Sequence, residues 1–172
     1  MDLSRQELEN IYLELEKPLF NFALRWVWNR ALAQELVQDA FVRIWSHRSR
    51  IERSTLKGLL YKTVQNLAIN ERRKMRLRAI TPLLDWFLGN EKPGLEQDFI
   101  RQQDLEMVQK ALDLLPDEMR ETLLMCEFSD MTHEQIGQAL NIPAGTVASR
   151  RNRGMKLMQE MVKLLEGKPG GK

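Results

Sequence analysis

The sequence contains few cysteines, glycines and prolines, and no long apolar run. Its one cysteine, Cys126, excludes an internal disulfide and a CxxC metal site, and the apolar run 122–126 around it predicts a packed thiol. Nine glycines and six prolines among 172 residues favour helix. Neither a membrane-spanning stretch nor a signal-peptide core is present, so we expect a cytoplasmic protein.

Chemical motifs are equally scarce. The only histidines, His47 and His133, have no second ligand at metal spacing, so no metal site is predicted. We find no glycine-rich phosphate loop and no carboxylate–histidine constellation. We therefore expect a protein that is not an enzyme and needs no cofactor.

Charge is unevenly distributed, although the net charge is only +2. Residues 48–78 hold 10 basic and 2 acidic side chains, residues 79–142 hold 4 and 13, and residues 143–172 hold 7 and 2. Two basic segments separated by an acidic one predict a polyanion bound at two places. A solvated charged face is the alternative for either segment alone.

Apolar periodicity predicts an all-α fold. Residues 5–30 indicate two helices interrupted at Pro18, followed by a helix over about 32–45, a basic loop over 46–55, and a helix over about 56–76 with Ser54 or Thr55 as its N-cap. The predicted core positions are Leu15, Leu19, Phe22, Trp26, Leu32, Leu36, Val37, Ala40, Phe41, Ile44, Trp45, Leu56, Leu60, Val64 and Leu67.

Turn dipeptides such as Thr81-Pro82 predict a linker over 79–103, with an apolar island at 83–88 that could dock on a domain or on a partner. Helices are predicted again over 103–115, 117–128, 132–140 and 144–165, with Pro116 in a first turn. The domains expected are therefore 5–78 and 104–166, two small helical units joined by the linker, with a disordered tail at 167–172.

Residues 132–153 have helix-turn-helix form. Ile136 and Leu140 supply the apolar face of the first helix, Gly137 is small where two helices approach, and Asn141 suits a left-handed turn. The second helix carries hydroxyls and arginines at its N-terminal end, which suits reading of the DNA major groove. An ordinary helical hairpin with a charged face is the alternative.

The helix over 56–76 carries a polar stripe beside its apolar face, formed by Lys62, Asn66, Asn70 and Arg73. Leu59 and Ile69 flank this stripe, so the segregation is imperfect. Asparagines beside basic residues can hold phosphates and hydrogen-bond exposed bases. Because basic helix ends are common, the stripe by itself does not decide between nucleic-acid binding and simple solvation.

Four segments together resemble the extracytoplasmic-function sigma factors of the sigma-70 family. Residues 35–45 carry the pattern acidic-x-x-Gln-acidic-x-Phe-x-x-x-Trp of region 2, and residues 60–70 the adjoining Leu-Tyr-basic-x-x-x-Asn pattern. Residues 114–120, with Leu-Pro, and 142–150, with Ile-Pro-Ala-Gly-Thr-Val, are similar to region 4. The resemblance covers about residues 10–78 and 104–165.

The resemblance implies a factor that binds core RNA polymerase and promoter DNA. It implies polymerase contacts at Glu35, Gln38, Asp39, Val42 and Trp45. It implies contacts to the melted minus-ten element at Arg48, Arg50, Lys62, Asn66, Asn70 and Arg73. It implies contacts to the minus-thirty-five duplex at Thr146, Ser149, Arg150, Asn152 and Arg153. It also implies an anti-sigma factor as regulator, while the linker would set the distance between the two DNA contacts.

Four positions depart from the family's usual residues, namely Leu59, Asn70, Ala148 and Asn152. These departures put the promoter sequence in doubt rather than the function. Two other hypotheses remain open on residues alone: a helix-turn-helix regulator that binds duplex DNA without polymerase, and a helical adaptor with no DNA role. The pattern from Gln38 to Trp45 argues against the first, and the arginines of the second motif helix argue against the other.

Overall fold

The computed structural model describes the backbone of residues 4–87 and 102–166, and the side chains of 4–49, 51–75 and 106–165. Within these ranges the chain forms helices and no strand, which confirms the all-α prediction. The helices are α1 (Arg5–Val27), α2 (Arg30–Ser46), α3 (Arg53–Phe87), α4 (Gln102–Leu114), α5 (Asp117–Phe128), α6 (His133–Leu140) and α7 (Ala144–Glu166), with a short 3-10 turn at Arg48–Arg50.

The N-terminal half is a three-helix bundle of α1, α2 and the first part of α3. Most of the predicted core positions are fully buried, and Leu32 and Trp45 are half-buried. Ser4 and Glu7 form a capping box at the start of α1, and Asn29 caps α2, so side chains satisfy the free amides of both helix starts. Trp28, at φ 53°, adopts the left-handed conformation that reverses the chain between them.

Two local predictions about this half are wrong. Helix α1 continues through Pro18, because proline removes one backbone donor while buried Leu15 and Leu19 on either side keep the segment in the core. Helix α3 begins at Arg53, so Ser54 and Thr55 lie within its first turn instead of capping it.

Helix α3 also runs on to Phe87, across the first part of the predicted linker. The Thr81-Pro82 dipeptide therefore interrupts one hydrogen bond without ending the helix. Residues 83–87 of the apolar island have helical backbone, and whether the island docks lies outside the described side chains. The remainder of the predicted linker up to residue 101, and the predicted tail, lie outside the described residues.

The C-terminal half contains the helix-turn-helix. Thr132 and Gln135 form a capping box on α6, and Asn141, at φ 56°, makes the predicted left-handed turn into α7. Val147 is fully buried and Ile142 is half-buried, and both belong to the apolar packing of this half. Pro116 stands at the N-cap of α5, one residue before the predicted first-turn position.

The two halves pack against each other through α1 with α5 and through α3 with α6. One continuous cluster of buried apolar side chains extends through both. Cys126 is half-buried in α5, and burial raises the pKa of its thiol, which keeps the sulfur protonated.

The closest approach in the motif gives a stability test. A Cβ at Gly137 would lie 2.6 Å from the Ile142 carbonyl oxygen, so Gly137→Ala must displace backbone at the turn. We expect a loss of about 1–3 kcal/mol in the free energy of unfolding, measured by urea denaturation. Gly145→Ala is the matched control, because nothing lies within 4 Å of its added Cβ. Equal stability of the two variants would contradict the tight turn.

Candidate functional site

The outer face of α2 is open to solvent. Four of its residues predicted to contact polymerase are exposed: Glu35, Gln38, Asp39 and Val42. Val42 is 62% exposed, so its apolar side chain is open to a partner. Phe41, on the opposite side of the helix, is buried, as the core interpretation predicts. The exposed side combines carboxylates, an amide and an apolar side chain, the composition of a helix-on-helix interface.

A groove lies between α1 and α2, and α1 supplies most of its lining. Tyr12 packs edge-on against Phe41 with ring centroids 4.9 Å apart, and Leu8 and Trp45 complete the apolar lining. The guanidinium of Arg48 lies 4.1 Å from the centroid of the Trp45 ring, which holds the indole at the groove edge. The contribution of α1 was missed in the sequence, where Leu8 and Tyr12 differ in no way from core residues.

The polar stripe of α3 is exposed at three of its four residues. Asn66, Asn70 and Arg73 are exposed, so their side chains are available to a ligand. Lys62 is half-buried, because its ammonium pairs with the carboxylate of Glu121 on α5, with Nζ 2.5 Å from Oε1. The side chain of Arg50 lies outside those that the structure describes.

The second helix of the motif, α7, presents Ser149, Asn152 and Arg153 to solvent near its N-terminal end. Thr146 is half-buried at the start of the helix. Arg150 is also half-buried, and its guanidinium lies 2.5 Å from a carboxylate oxygen of Glu118 on α5. This group is a compact basic and hydroxyl-bearing surface whose central arginine already has an acidic partner.

A buried arginine lies where the two halves meet. Arg120 on α5 is 1% exposed; it donates to the Arg25 carbonyl at 2.7 Å and to the Asp113 carboxylate at 2.5 Å. Its guanidinium also lies over the Trp26 ring, 4.7 Å from the centroid. Burial, together with the nearby charge of Arg72, lowers the pKa of Arg120 to about 10, so the ion is costly to bury.

Tyr61 makes a second polar link between the halves. Its phenol is buried and donates to the Phe128 carbonyl at 2.6 Å. That carbonyl is at the end of α5, where carbonyl oxygens have no backbone N–H donor within the helix. Burial, and the charge of Asp130, raise the pKa of Tyr61 well above its usual value, so the donor proton is retained.

Neither Arg120 nor Tyr61 was among the predicted site residues. A signal for Arg120 exists: it precedes buried Leu123 and Leu124 by three and four residues, so it shares their helix face. No local pattern shows which element that face would meet.

Nothing in the described part of the chain is arranged for metal binding: no three histidine, cysteine or carboxylate side chains there come together. Among the described helices, none combines the length and the apolarity needed to cross a membrane.

Family models match both halves. Residues 11–78 match sigma-70 region 2, and residues 105–158 match sigma-70, region 4. The chain therefore belongs to the sigma-70 family, and its relatives place it with the extracytoplasmic-function, or ECF, sigma factors. Proteins of this family are transcription initiation factors rather than enzymes.

The relatives are similar over most of this chain. The ECF RNA polymerase sigma factor SigE of Mycolicibacterium smegmatis is 28% identical over 92% of this chain, which spans 60% of the length of SigE. The ECF RNA polymerase sigma factor SigL of Mycobacterium tuberculosis is 26% identical over 87% of this chain and 85% of its own.

A solved structure is similar in fold. The sigma factor RpoE of Bartonella quintana, crystallised with the anti-sigma factor NepR, has a TM-score of 0.65 to this chain. Sequence identity is 24%, and the match covers 92% of this chain and 98% of RpoE. The two-part helical architecture is therefore shared.

The link between Tyr61 and Phe128 can be tested by substitution. Tyr61→Phe leaves a buried carbonyl without its donor, and we expect a loss of about 1–3 kcal/mol in the free energy of unfolding. Tyr12→Phe is the matched control, because the Tyr12 hydroxyl bonds Glu16 one turn along the same helix. Thermal and urea denaturation measure both variants. A Tyr61→Phe protein as stable as the control would show that the link contributes nothing.

Proposed function

We propose that this chain directs core RNA polymerase to a specific set of promoters in the cytoplasm. The observation that carries the proposal is the presence, on one chain of the sigma-70 family, of an exposed α2 face and two separate basic surfaces. A repressor needs a basic surface but does not need the exposed α2 face, and an adaptor needs neither basic surface.

The α2 face binds the polymerase in this proposal. Glu35, Gln38, Asp39 and Val42 meet the clamp helices of the largest subunits, and Trp45 contributes the edge of the adjoining groove. Val42 supplies apolar area that becomes buried on binding, while the carboxylates select basic side chains on the partner.

The surface of α3 binds the melted minus-ten element. Asn66 and Asn70 can hydrogen-bond the edges of unpaired bases, while Arg73 and Lys62 attract the phosphates. The basic turn before α3, which contains Arg48 and Arg50, completes this surface at the end where a flipped base would be held.

The N-terminal part of α7 binds the minus-thirty-five duplex. Ser149, Asn152 and Arg153 are exposed where a recognition helix meets base edges. Arg150 reads guanine after exchanging the Glu118 carboxylate for the base, and Thr146 bonds the backbone.

An anti-sigma factor is the proposed regulator. The similar sigma factor of Bartonella quintana was crystallised with one, which supports a partner of the same kind here. The groove of Leu8, Tyr12, Phe41 and Trp45 is apolar, and the ion pair of Arg5 and Glu9 also lines it, a combination that suits an amphipathic helix.

The polymerase contact is tested with Asp39→Ala. We expect the affinity for core polymerase to fall by at least about fivefold, because the substitution removes one exposed charge from the interface. Pull-down with core polymerase and promoter-directed transcription in vitro measure the effect. Glu14→Ala is the control, since Glu14 is an exposed carboxylate on a different helix, α1. Unchanged polymerase affinity of Asp39→Ala would remove Asp39 from the interface.

The upstream contact is tested with Arg150→Ala. We expect initiation at a promoter with an intact minus-thirty-five element to lose about 1–3 kcal/mol of recognition, with relaxed preference at one base pair. Lys156→Ala, an exposed basic residue further along α7, is the control. Tight duplex binding by the wild-type chain alone, with no effect on initiation, would instead favour a repressor.

A further inference from the structure

The C-terminal end of α2 is closed by side chains, since no glycine follows it in the sequence to reverse the chain. The Ser46 hydroxyl donates to the Val42 carbonyl at 2.9 Å, and Nδ1 of His47 donates to the Arg43 carbonyl at 2.9 Å. The backbone N–H of His47 lies 3.1 Å from the Ile44 carbonyl. These donors replace the intrahelical partners that the last carbonyls of a helix lack.

Arg48 completes this set of donors and also contacts an aromatic ring. Its Nη1 donates to the Trp45 carbonyl at 3.0 Å, and its Cζ lies 4.1 Å from the centroid of the Trp45 ring. An arginine over a tryptophan ring is a favourable cation–π pair. The Arg48 side chain is half-buried. One guanidinium therefore binds both the backbone and the ring of the same residue.

The turn after α2 is held at both of its ends. It starts with the 3-10 turn Arg48–Arg50, and the next residue, Ile51, packs its half-buried side chain against the apolar core. Ser49, between the two, is exposed. The course of the turn therefore depends on Arg48 at the α2 end and on Ile51 at the α3 end.

The contacts of Arg48 use the shape of its side chain as well as its charge. A phosphate contact needs a positive charge within reach of the strand, which lysine supplies as well as arginine. Stacking on an indole while bonding a carbonyl needs the planar guanidinium, because an ammonium is compact and strongly hydrated. The geometry at Arg48 is of the second kind.

We propose that Arg48 is a positioning residue: it fixes the turn over 46–51 against Trp45, so that the turn keeps one shape around the flipped base of the minus-ten element. The inference rests on the proposed function, because a fixed turn matters to promoter choice only if it holds a base. A pocket discriminates between flipped bases when its walls stay in place. Loss of Arg48 therefore relaxes base preference, and Arg48 acts through the turn instead of by touching the strand.

Amide hydrogen exchange tests the positioning in the free full-length chain. Arg48→Ala and Arg48→Lys should both raise exchange over residues 46–51 by at least about threefold, since neither substitute can stack on Trp45 as a planar group. Arg43→Ala is the matched control, because it removes an exposed guanidinium near the same end of α2 and keeps the carbonyl that His47 bonds. Unchanged exchange in both Arg48 variants overturns the inference, whatever their activity.

Initiation from a promoter library randomised across the minus-ten element tests the consequence for function. Core polymerase at concentrations that saturate each variant removes differences in polymerase binding. We expect Arg48→Lys to lose about fivefold in its preference for the best base, as Arg48→Ala does, while Arg43→Ala keeps the wild-type preference. Full preference in Arg48→Lys would show that charge alone suffices and would replace the inference with a phosphate contact.

Salt dependence gives an independent measure of any phosphate contact. The holoenzyme is titrated with a fluorescent single-stranded minus-ten oligonucleotide at several salt concentrations. Each phosphate contact to a single strand adds about 0.7 to the slope of log affinity against log salt. We expect wild type and Arg48→Ala to have equal slopes, and a slope lower by about that amount in the variant contradicts the positioning role.

A double-mutant cycle tests whether Arg48 acts through Trp45. Trp45→Ala should relax the minus-ten preference as Arg48→Ala does, again with saturating polymerase. The double variant should be no more relaxed than either single variant, because each substitution removes the same contact. Additive effects would show that the two residues act independently.

The inference and the proposed function can fail separately. A wild-type chain that initiates at no member of the library overturns the proposed function, and with it the role of the turn in base capture, even where exchange shows a fixed turn. Selective initiation by the wild type, with the same preference in Arg48→Ala and Arg48→Lys, overturns the inference and leaves the proposed function standing.

Discussion

The burial of one cation constrains how the two halves of this protein meet. An arginine that is 1% exposed must find partners for its charge and its donors, and Arg120 finds them on both sides of the junction. Asp113 belongs to the C-terminal half, whereas the Arg25 carbonyl and the Trp26 ring belong to the N-terminal half. Separation of the halves would break the contacts of Arg120 with the Arg25 carbonyl and the Trp26 ring. The orientation of α5 against α1 is therefore fixed by the geometry of these contacts as well as by apolar packing.

Local structure could be predicted from the sequence because an amphipathic helix repeats its apolar residues on the face that becomes buried. The periodic positions of α2 and α3, such as Leu36 and Leu60, are buried, and the left-handed turn at Asn141 is in place. Predictions failed where a single residue type was given too much weight. Pro18 was expected to divide α1 and instead lies within it, because neighbouring core contacts outweigh one missing hydrogen bond.

Most of the predicted interface residues that the structure describes are exposed, yet the position of one predicted surface relative to another was not predictable from the sequence. Lys62 and Glu121 are 59 residues apart, and no periodicity connects them. Charge counts indicated basic segments divided by an acidic one, but they could not tell a spacer from a neutralising partner. The pairing depends on tertiary packing of α5 between α3 and α7, which a one-dimensional pattern does not contain.

The surroundings of Trp26 give the molecule an intrinsic optical reporter. Its indole is 1% exposed and is flanked by the guanidinium groups of Arg72 and Arg120, with ring-centroid distances of 5.9 Å and 4.7 Å. Positive charge beside an excited indole shifts its emission, and water does so in a different way. Any event that parts the two halves therefore changes the fluorescence of this residue without an added label.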